Sequence, residues 1–487
     1  MLDAAGVAEG LEAALPIGVR SRQLSARTLL VGMLVALAEG RPAQLARAHA
    51  ALSALPEADR ARLGVVSEWR TGPHHLTYRQ VEHTARLLAG ALAKTSPDGQ
   101  ASVALARFSA ALLEASVPDR AKSVSSSLAV DWTDMESFAR APVPDVRPSI
   151  DPEASWGHRR GHGPGQKDEL FFGYYLSAAT MVNEENGPAV PELVRRATLS
   201  SCHVDPVPAF VPALANLASC TELGDVLADS GYAHRVAGHW ALPLRALGAK
   251  LVTDLHPADR GPRGTFAGAI CSNGSLYCPA TPPALLGLVP LARDAGAQEI
   301  AAHDQKTTEL AHYKLARTSG YDQDGYHRVS CPAVMGKLRC PWRPASMTLS
   351  HERPTVLCLP EGPPRCCAQQ TLTVPVSVNA KTAQKHDYPS ADWRASYARR
   401  TAVERTFSTI KDPASNDISR GWCRLMGLSA ITIFVTCCLV VRNWRVADAF
   451  EAREADAARR AAAGLGPRQR KRRRQGLAEL VSAGAGP

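Results

Sequence analysis

Three observations place this sequence in the α/β class. Short apolar runs closed by an acid, "SLAVDW" and "VLADSGY", alternate with helical segments such as "VPAFVPALANLAS". A run of 14 apolar or small residues, Leu428 to Val441, suits a buried helix better than a membrane span. A Gly-, Pro- and Cys-rich tract over residues 251–385 interrupts the alternation in the manner of an insertion.

The bulk numbers agree with a globular protein that meets a polyanion. The 487 residues suffice for two or three domains, and 45% hydrophobic with 21% charged residues is ordinary globular composition. A net charge of +10 and a pI near 9.1 point to a polyanionic partner. The start, "MLDAAGVAEG", lacks a basic n-region, so no secretory signal is expected. Twelve cysteines then imply a reduced, cytosolic compartment, with thiols or metal ligands in preference to disulfides.

Taken in order, residues 1–120 read as a helical domain, because "ARTLLVGMLVALAEG", "QLARAHAALSAL" and "YRQVEHTARLLAGALAK" carry apolar residues at helical spacing. Such a unit binds DNA, dimerises or forms a plain bundle, and its sequence does not choose. Residues 121–250 hold the strands "SLAVDW" and "LFFGYYLSAATMV", a Pro/Gly/His/Arg-rich loop between them, a helix, and the short strand "ELGDVLADSGY". Residues 251–385 read as short strands and loops. Within 386–450, a helix from Asp392 to Lys411 and the apolar helix after it return to the α/β layer. Residues 451–487 form a basic tail.

The chemistry concentrates in "SYARRTAVERTFSTIKD", Ser396 to Asp412. On a helix, Tyr397, Arg400, Glu404 and Lys411 fall within an arc of roughly 60°, beside an apolar face of Val403, Phe407 and Ile410. An ordinary i,i+4 pair between Arg400 and Glu404 would produce the same pattern. Two upstream acids have a matching setting, Asp131 and Asp229, each at a buried-looking strand. Strand ends that meet a helix gather distant residues, and clustered carboxylates persist most naturally around a divalent cation. Asp134 and Glu136 compete with Asp131 for that place, and Asp225 and Asp254 compete with Asp229.

Tyr397, Arg400, Glu404 and Lys411 satisfy Y-x2-R-x3-E-x6-K without a gap. The chain in this respect resembles bacterial insertion-sequence DDE transposases, and "LAVDWTD" and "VLADSGY" resemble their first- and second-acid motifs. The likeness spans roughly Ser125 to Arg445. It implies an RNase H-like catalytic core, interrupted by a long loop/β-rich insertion and preceded by an α-helical N-terminal domain. It further implies that Asp131, Asp229 and Glu404 bind Mg²⁺ (or Mn²⁺), and that Tyr397, Arg400 and Lys411 contact DNA phosphates. The expected partners are double-stranded DNA, as terminal inverted repeats and target, and further copies of the chain in a dimer or larger synaptic complex. No membrane is expected, and the location implied is the bacterial cytoplasm, at the nucleoid. A nuclease or resolvase without strand transfer, or a DNA-binding remnant without catalysis, shares most of these features.

Other features have two readings each. Zn²⁺ held by Cys331, Cys340, Cys366 and Cys367 would order the loop-rich insertion, whereas reduced packing thiols would leave it metal-free. Cys271 and Cys278 form another spaced pair, and Cys437 and Cys438 read as core. "GHRRGHGPG" (Gly157 to Gly165) and the tail Arg470 to Arg474 fit DNA-backbone contact or solvated charge. Trp156, Trp240 and Trp342 are candidates to stack on an unpaired base, or to pack in a core.

Overall fold

The computed structural model describes residues 1–468 except 4–5, 17–23, 43, 66, 70–71, 94–98, 160–167, 293, 358–360 and 415–416. The tail Arg470 to Arg474 and most of "GHRRGHGPG" therefore lie outside the described residues.

The chain opens with α1 (Val7–Ala14), α2 (Ala26–Ala38), α3 (Leu45–Ala54) and α4 (Glu57–Arg62). A hairpin of β1 (Ser67–Trp69) and β2 (Gly72–His74) follows, then α5 (Tyr78–Ala93), α6 (Val103–Ala115) and α7 (Asp119–Lys122). Serines start two of the longer helices: Ser25 accepts the Thr28 N–H and Ser102 that of Leu105, satisfying donors the helix leaves unpaired.

A mixed sheet comes next, from β3 (Leu128–Glu136), β4 (Ser155–Arg159), β5 (Glu169–Met181), β6 (Val194–Ser201), β7 (Asp225–Ala228) and β8 (Lys250–Thr253). Their order is β4-β5-β3-β7-β8, with β6 paired to β5 beyond the end of β4. β3, β5 and β6 run antiparallel in succession, whereas β7 lies parallel to β3 and β8 parallel to β7. The connections carry α8 (Pro206–Ala218), α9 (Ser230–Ala233) and α10 (Ala241–Ala246). β5 is central and covered on both faces, which is why its sequence is a nearly continuous apolar run.

Alternation along the strands sorts residues between two cores. Leu128, Val130, Val226 and Ala228 face Phe210, Leu214, Trp240 and Leu244 of the α8–α10 layer. Ala129, Met135 and Leu227 join the opposite core, shared with the N-terminal helices. That second layer includes α14 (Ala391–Tyr397), a 3-10 turn (Ala398–Arg400), α15 (Thr401–Ile410) and α16 (Leu428–Ala462).

Between β8 and α14 stand two small antiparallel sheets. One is β11-β10-β9 from β9 (Pro262–Phe266), β10 (Ala269–Ser272) and β11 (Ser275–Tyr277). After α11 (Pro283–Leu286) and α12 (Ala297–Tyr313) comes β12-β13-β14, from β12 (Ala316–Arg317), β13 (His327–Ser330) and β14 (Leu372–Val374), with α13 (Arg365–Ala368) before the last strand.

Five sequence expectations need correction. The helix expected from Asp392 to Lys411 is split by the 3-10 turn, so Lys411 caps α15 and does not share one continuous helical arc with Tyr397. β6 went unread because "VRRATLSS" looks polar; Arg195 and Arg196 are buried there with Glu114 of α6 paired to both, at 2.5 and 2.8 Å. β8 belongs to the main sheet, although its residues from 251 onward fell to the insertion. α12 was missed because its 17 residues are mostly polar and only His303, Leu310 and Tyr313 are buried. Finally α16 continues to Ala462, past the tail's expected start at 451.

α16 is long and apolar enough to cross a bilayer by length and composition, yet 78% of its apolar window is buried within the protein. Its Asn443 accepts from Val194 N at 2.8 Å and donates to Val194 O and Ser116 Oγ at 2.9 and 2.8 Å, tying the helix to β6 and α6.

Candidate functional site

The register of the parallel strands places the first two acids side by side. Leu128 pairs with Val226 and Ala129 with Leu227, and Asp131 and Asp229 each stand two residues beyond the second pair. Both therefore emerge on the Ala129–Leu227 face, toward the 3-10 turn and α15.

Local chemistry fixes each carboxylate. Asp131 Oδ1 accepts the Trp132 N–H at 2.8 Å, and Oδ2 accepts from Arg400 Nη1 at 2.9 Å. Asp229 is the N-cap of α9, its Oδ1 accepting the Gly231 N–H at 2.8 Å. The "SGY" sequence has a steric reason here. A Cβ on Gly231 would lie 2.6 Å from the Trp132 ring, which lies tilted against Tyr232 of the opposite core, ring centroids 4.9 Å apart. Trp132 and Gly231 were not singled out by sequence; the glycine directly after "DS" was the only signal available.

Glu404 comes from the first turn of α15 and accepts from Arg400 Nη2. Arg400 thus sits between Asp131 and Glu404, only 8% exposed, with its guanidinium 5.7 Å from the Tyr397 ring centroid. Tyr397 stacks on Trp393 at 4.9 Å and 15°. Lys411 donates to Thr133 Oγ1 at 2.8 Å and Asp134 Oδ1 at 3.1 Å, on the far half of β3.

Electrostatics single out Asp131. Burial pushes its carboxyl up to about 7, Asp229's negative charge adds to this, and Arg400 opposes it. Burial also raises the Tyr397 hydroxyl, against Arg400, with Asp254, Asp229 and Asp131 contributing. The Tyr232 hydroxyl is buried near Asp131 and Asp229, with no hydrogen-bond partner among the described residues.

The competing acids are engaged elsewhere. Asp225 is buried against Lys385 at 2.8 Å and Arg399 at 2.6 Å. Asp254 accepts from Tyr388 Oη at 2.7 Å and from Arg260 at 3.2 Å. Asp134 and Glu136 share Arg159, at 2.6 and 2.8 Å. These last residues line a cleft of about 540 Å³ beside the triad, with Lys411 and Arg420 on its other wall.

Among the described residues, the one group of three His, Cys, Asp or Glu ligand atoms all within 4.8 Å of one another is His234, His256 and Asp259. Asp131, Asp229 and Glu404 are not drawn together to that degree. The His234 group already holds a cation, because Lys381 Nζ lies 2.6 Å from Asp259. Comparison with protein-family models and with curated proteins finds no match to this chain.

Of the tryptophans, Trp240 is buried against Tyr232, and Trp342 packs between the insertion's two cores. Trp156 is 50% exposed on β4, edge-on to Phe172. Cys437 and Cys438 are fully buried in α16.

Proposed function

We propose that this protein is a metal-dependent DNA transposase, cutting at the ends of an insertion element and joining the freed 3′-ends to target DNA. The observation that carries the reading is the shared register of Asp131 and Asp229 on adjacent parallel strands, with the Y-x2-R-x3-E-x6-K turn packed against them. Three antiparallel strands followed by two parallel ones support an RNase H-like core, in which carboxylates at the strand ends meet a glutamate from a helix.

The donor set fits a divalent cation. Burial first, and the charge of Asp229 second, raise the Asp131 carboxyl to about 7, and a positive ion between the two acids would offset both. Asp131, Asp229 and Glu404 would hold Mg²⁺ or Mn²⁺, which supplies Lewis-acid activation of water or a 3′-hydroxyl and stabilises the leaving oxygen. Arg400 orients Asp131 and Glu404 through its planar fork. The adjoining cleft carries Lys411, Arg159 and Arg420 against Asp134 and Glu136, an excess of one positive charge toward a phosphate backbone. The Trp393–Tyr397 stack holds the turn that carries Arg400.

One observation favours a second reading, a DNA-binding protein without catalysis: Arg400 already neutralises two of the three acids. The separating experiment incubates the purified full-length protein with Mg²⁺ and DNA carrying the inverted repeats that flank its gene. Joined products support the transposase, cleavage without joining supports a nuclease, and metal-independent binding alone supports the non-catalytic reading.

A further inference from the structure

Five cysteines from four separate stretches of the insertion bury their thiols in one place. Cys278 follows β11, Cys331 follows β13, Cys340 lies in a turn, and Cys366 and Cys367 sit in α13. None is more than 4% exposed. The Cys367 thiol is hydrogen-bonded with those of Cys278, Cys331 and Cys366, and the Cys366 and Cys367 sulfurs are 3.8 Å apart. Cys340 adjoins Cys278 and Cys331 but is outside this set of thiol contacts. Cys278 thereby takes the place that the sequence reading gave to Cys340.

Backbone N–H groups turn toward two of the sulfurs. Cys278 accepts a backbone N–H from Ala280, and Cys331 accepts from Ala333 and Val334. In both turns the residue after the cysteine is a proline, whose fixed φ shapes the turn that returns the N–H to the sulfur. The group lies where two apolar clusters of the insertion meet. A Zn–S bond of about 2.3 Å places ligand sulfurs of a tetrahedral site about 3.8 Å apart, the separation of the vicinal pair. No three of the thiols lie mutually within 4.8 Å, so a tetrahedral site would require the group to contract around the ion. An iron–sulfur cluster would need its cysteines spread around a larger inorganic core.

We propose that Cys278, Cys331, Cys366 and Cys367 bind one structural zinc ion as thiolates, cross-linking the two small sheets of the insertion. Binding releases the thiol protons and ties together ends of β11 and β13 with α13. This site is independent of the carboxylate chemistry, and its test does not depend on DNA.

The full-length protein, purified in reductant without chelator, should carry about one zinc per chain by elemental analysis. Cys278→Ser and Cys367→Ser should each lower zinc content at least about tenfold. Cys271→Ser should retain it, since that buried thiol is shifted by burial alone. Should the serine variants fail to fold, cobalt(II) loading of the unaltered protein must give thiolate-to-metal charge transfer and tetrahedral d–d bands. Zinc-free protein that binds no added zinc, zinc retained by Cys278→Ser, or stoichiometric iron in its place would each overturn the proposal.

Discussion

Arg400 donates to Asp131 across the gap between a helical turn and the sheet, at 2.9 Å. Removing that buried guanidinium takes away the cation that pairs with both Asp131 and Glu404. Arg400→Ala should cost about 3 kcal/mol of stability, read as a shift in the urea midpoint. Glu404→Gln should cost less than about 1 kcal/mol, since the Glu404 side chain is 40% exposed. In the cleavage assay the same substitution should reduce the single-turnover rate at least about a hundredfold.

The raised carboxyl of Asp131 makes stability depend on pH. Its ordinary value in the unfolded chain is about 3.9, against about 7 when folded. Between those values the folded protein binds the extra proton, so metal-free stability should fall as pH rises from about 4 to about 7 and then level off. Asp131→Asn should flatten that window in thermal melts. Asp229→Asn removes the repelling neighbour and should move the upper midpoint down. Metal-supported cleavage should instead rise with pH through the same range, because the ionised carboxylate is the ligand.

Asp225 and Asp229 lie at the two ends of one short segment, and substitution should separate their roles. Asp225→Asn leaves Lys385 and Arg399 facing a neutral amide in a buried place, and should cost about 3 kcal/mol. Asp229→Asn keeps a competent N-cap and should cost under about 1 kcal/mol. Cleavage should show the reverse order, with Asp229→Asn the inactive variant at temperatures where both are folded.

Gly231→Ala should be disproportionately harmful for one methyl group. Its Cβ would enter the Trp132 ring at 2.6 Å, and relief requires moving either that indole or the Asp229 cap. A loss of about 1–3 kcal/mol is expected. Trp132→Leu in the same chain should recover part of it, as a double-mutant cycle would show.

The candidate site was legible as a grouping where its residue types are demanding. Tyr397, Arg400, Glu404 and Lys411 stand at one fixed spacing, Asp131 and Asp229 each close a short apolar run, and β3, β5, β7 and α8 declared themselves by apolar pattern. What escaped depended on partners distant in sequence. Arg195 and Arg196 make β6 look like a loop until Glu114 is placed beside them. A single periodicity applied from Asp392 to Lys411 could not reveal the 3-10 turn between α14 and α15. The thiol group was half-read for the same reason: Cys278 joins it through a sheet edge, with no recognisable spacing to Cys331.

The insertion is tethered at its neck. Where the chain leaves the sheet, Thr253 N donates to Gln384 Oε1 at 2.8 Å, and Lys385 N donates to Leu251 O at 2.9 Å where it comes back. Trp393 Nε1 then reaches Thr253 O at 3.1 Å, so the departing strand and the returning helix meet directly. With its ends already brought together, the closure cost of the intervening segment varies only slowly with its length. Natural variants could therefore enlarge, trim or exchange that module while Asp229 and Glu404 keep their positions, leaving it free to diverge faster than the core that carries it.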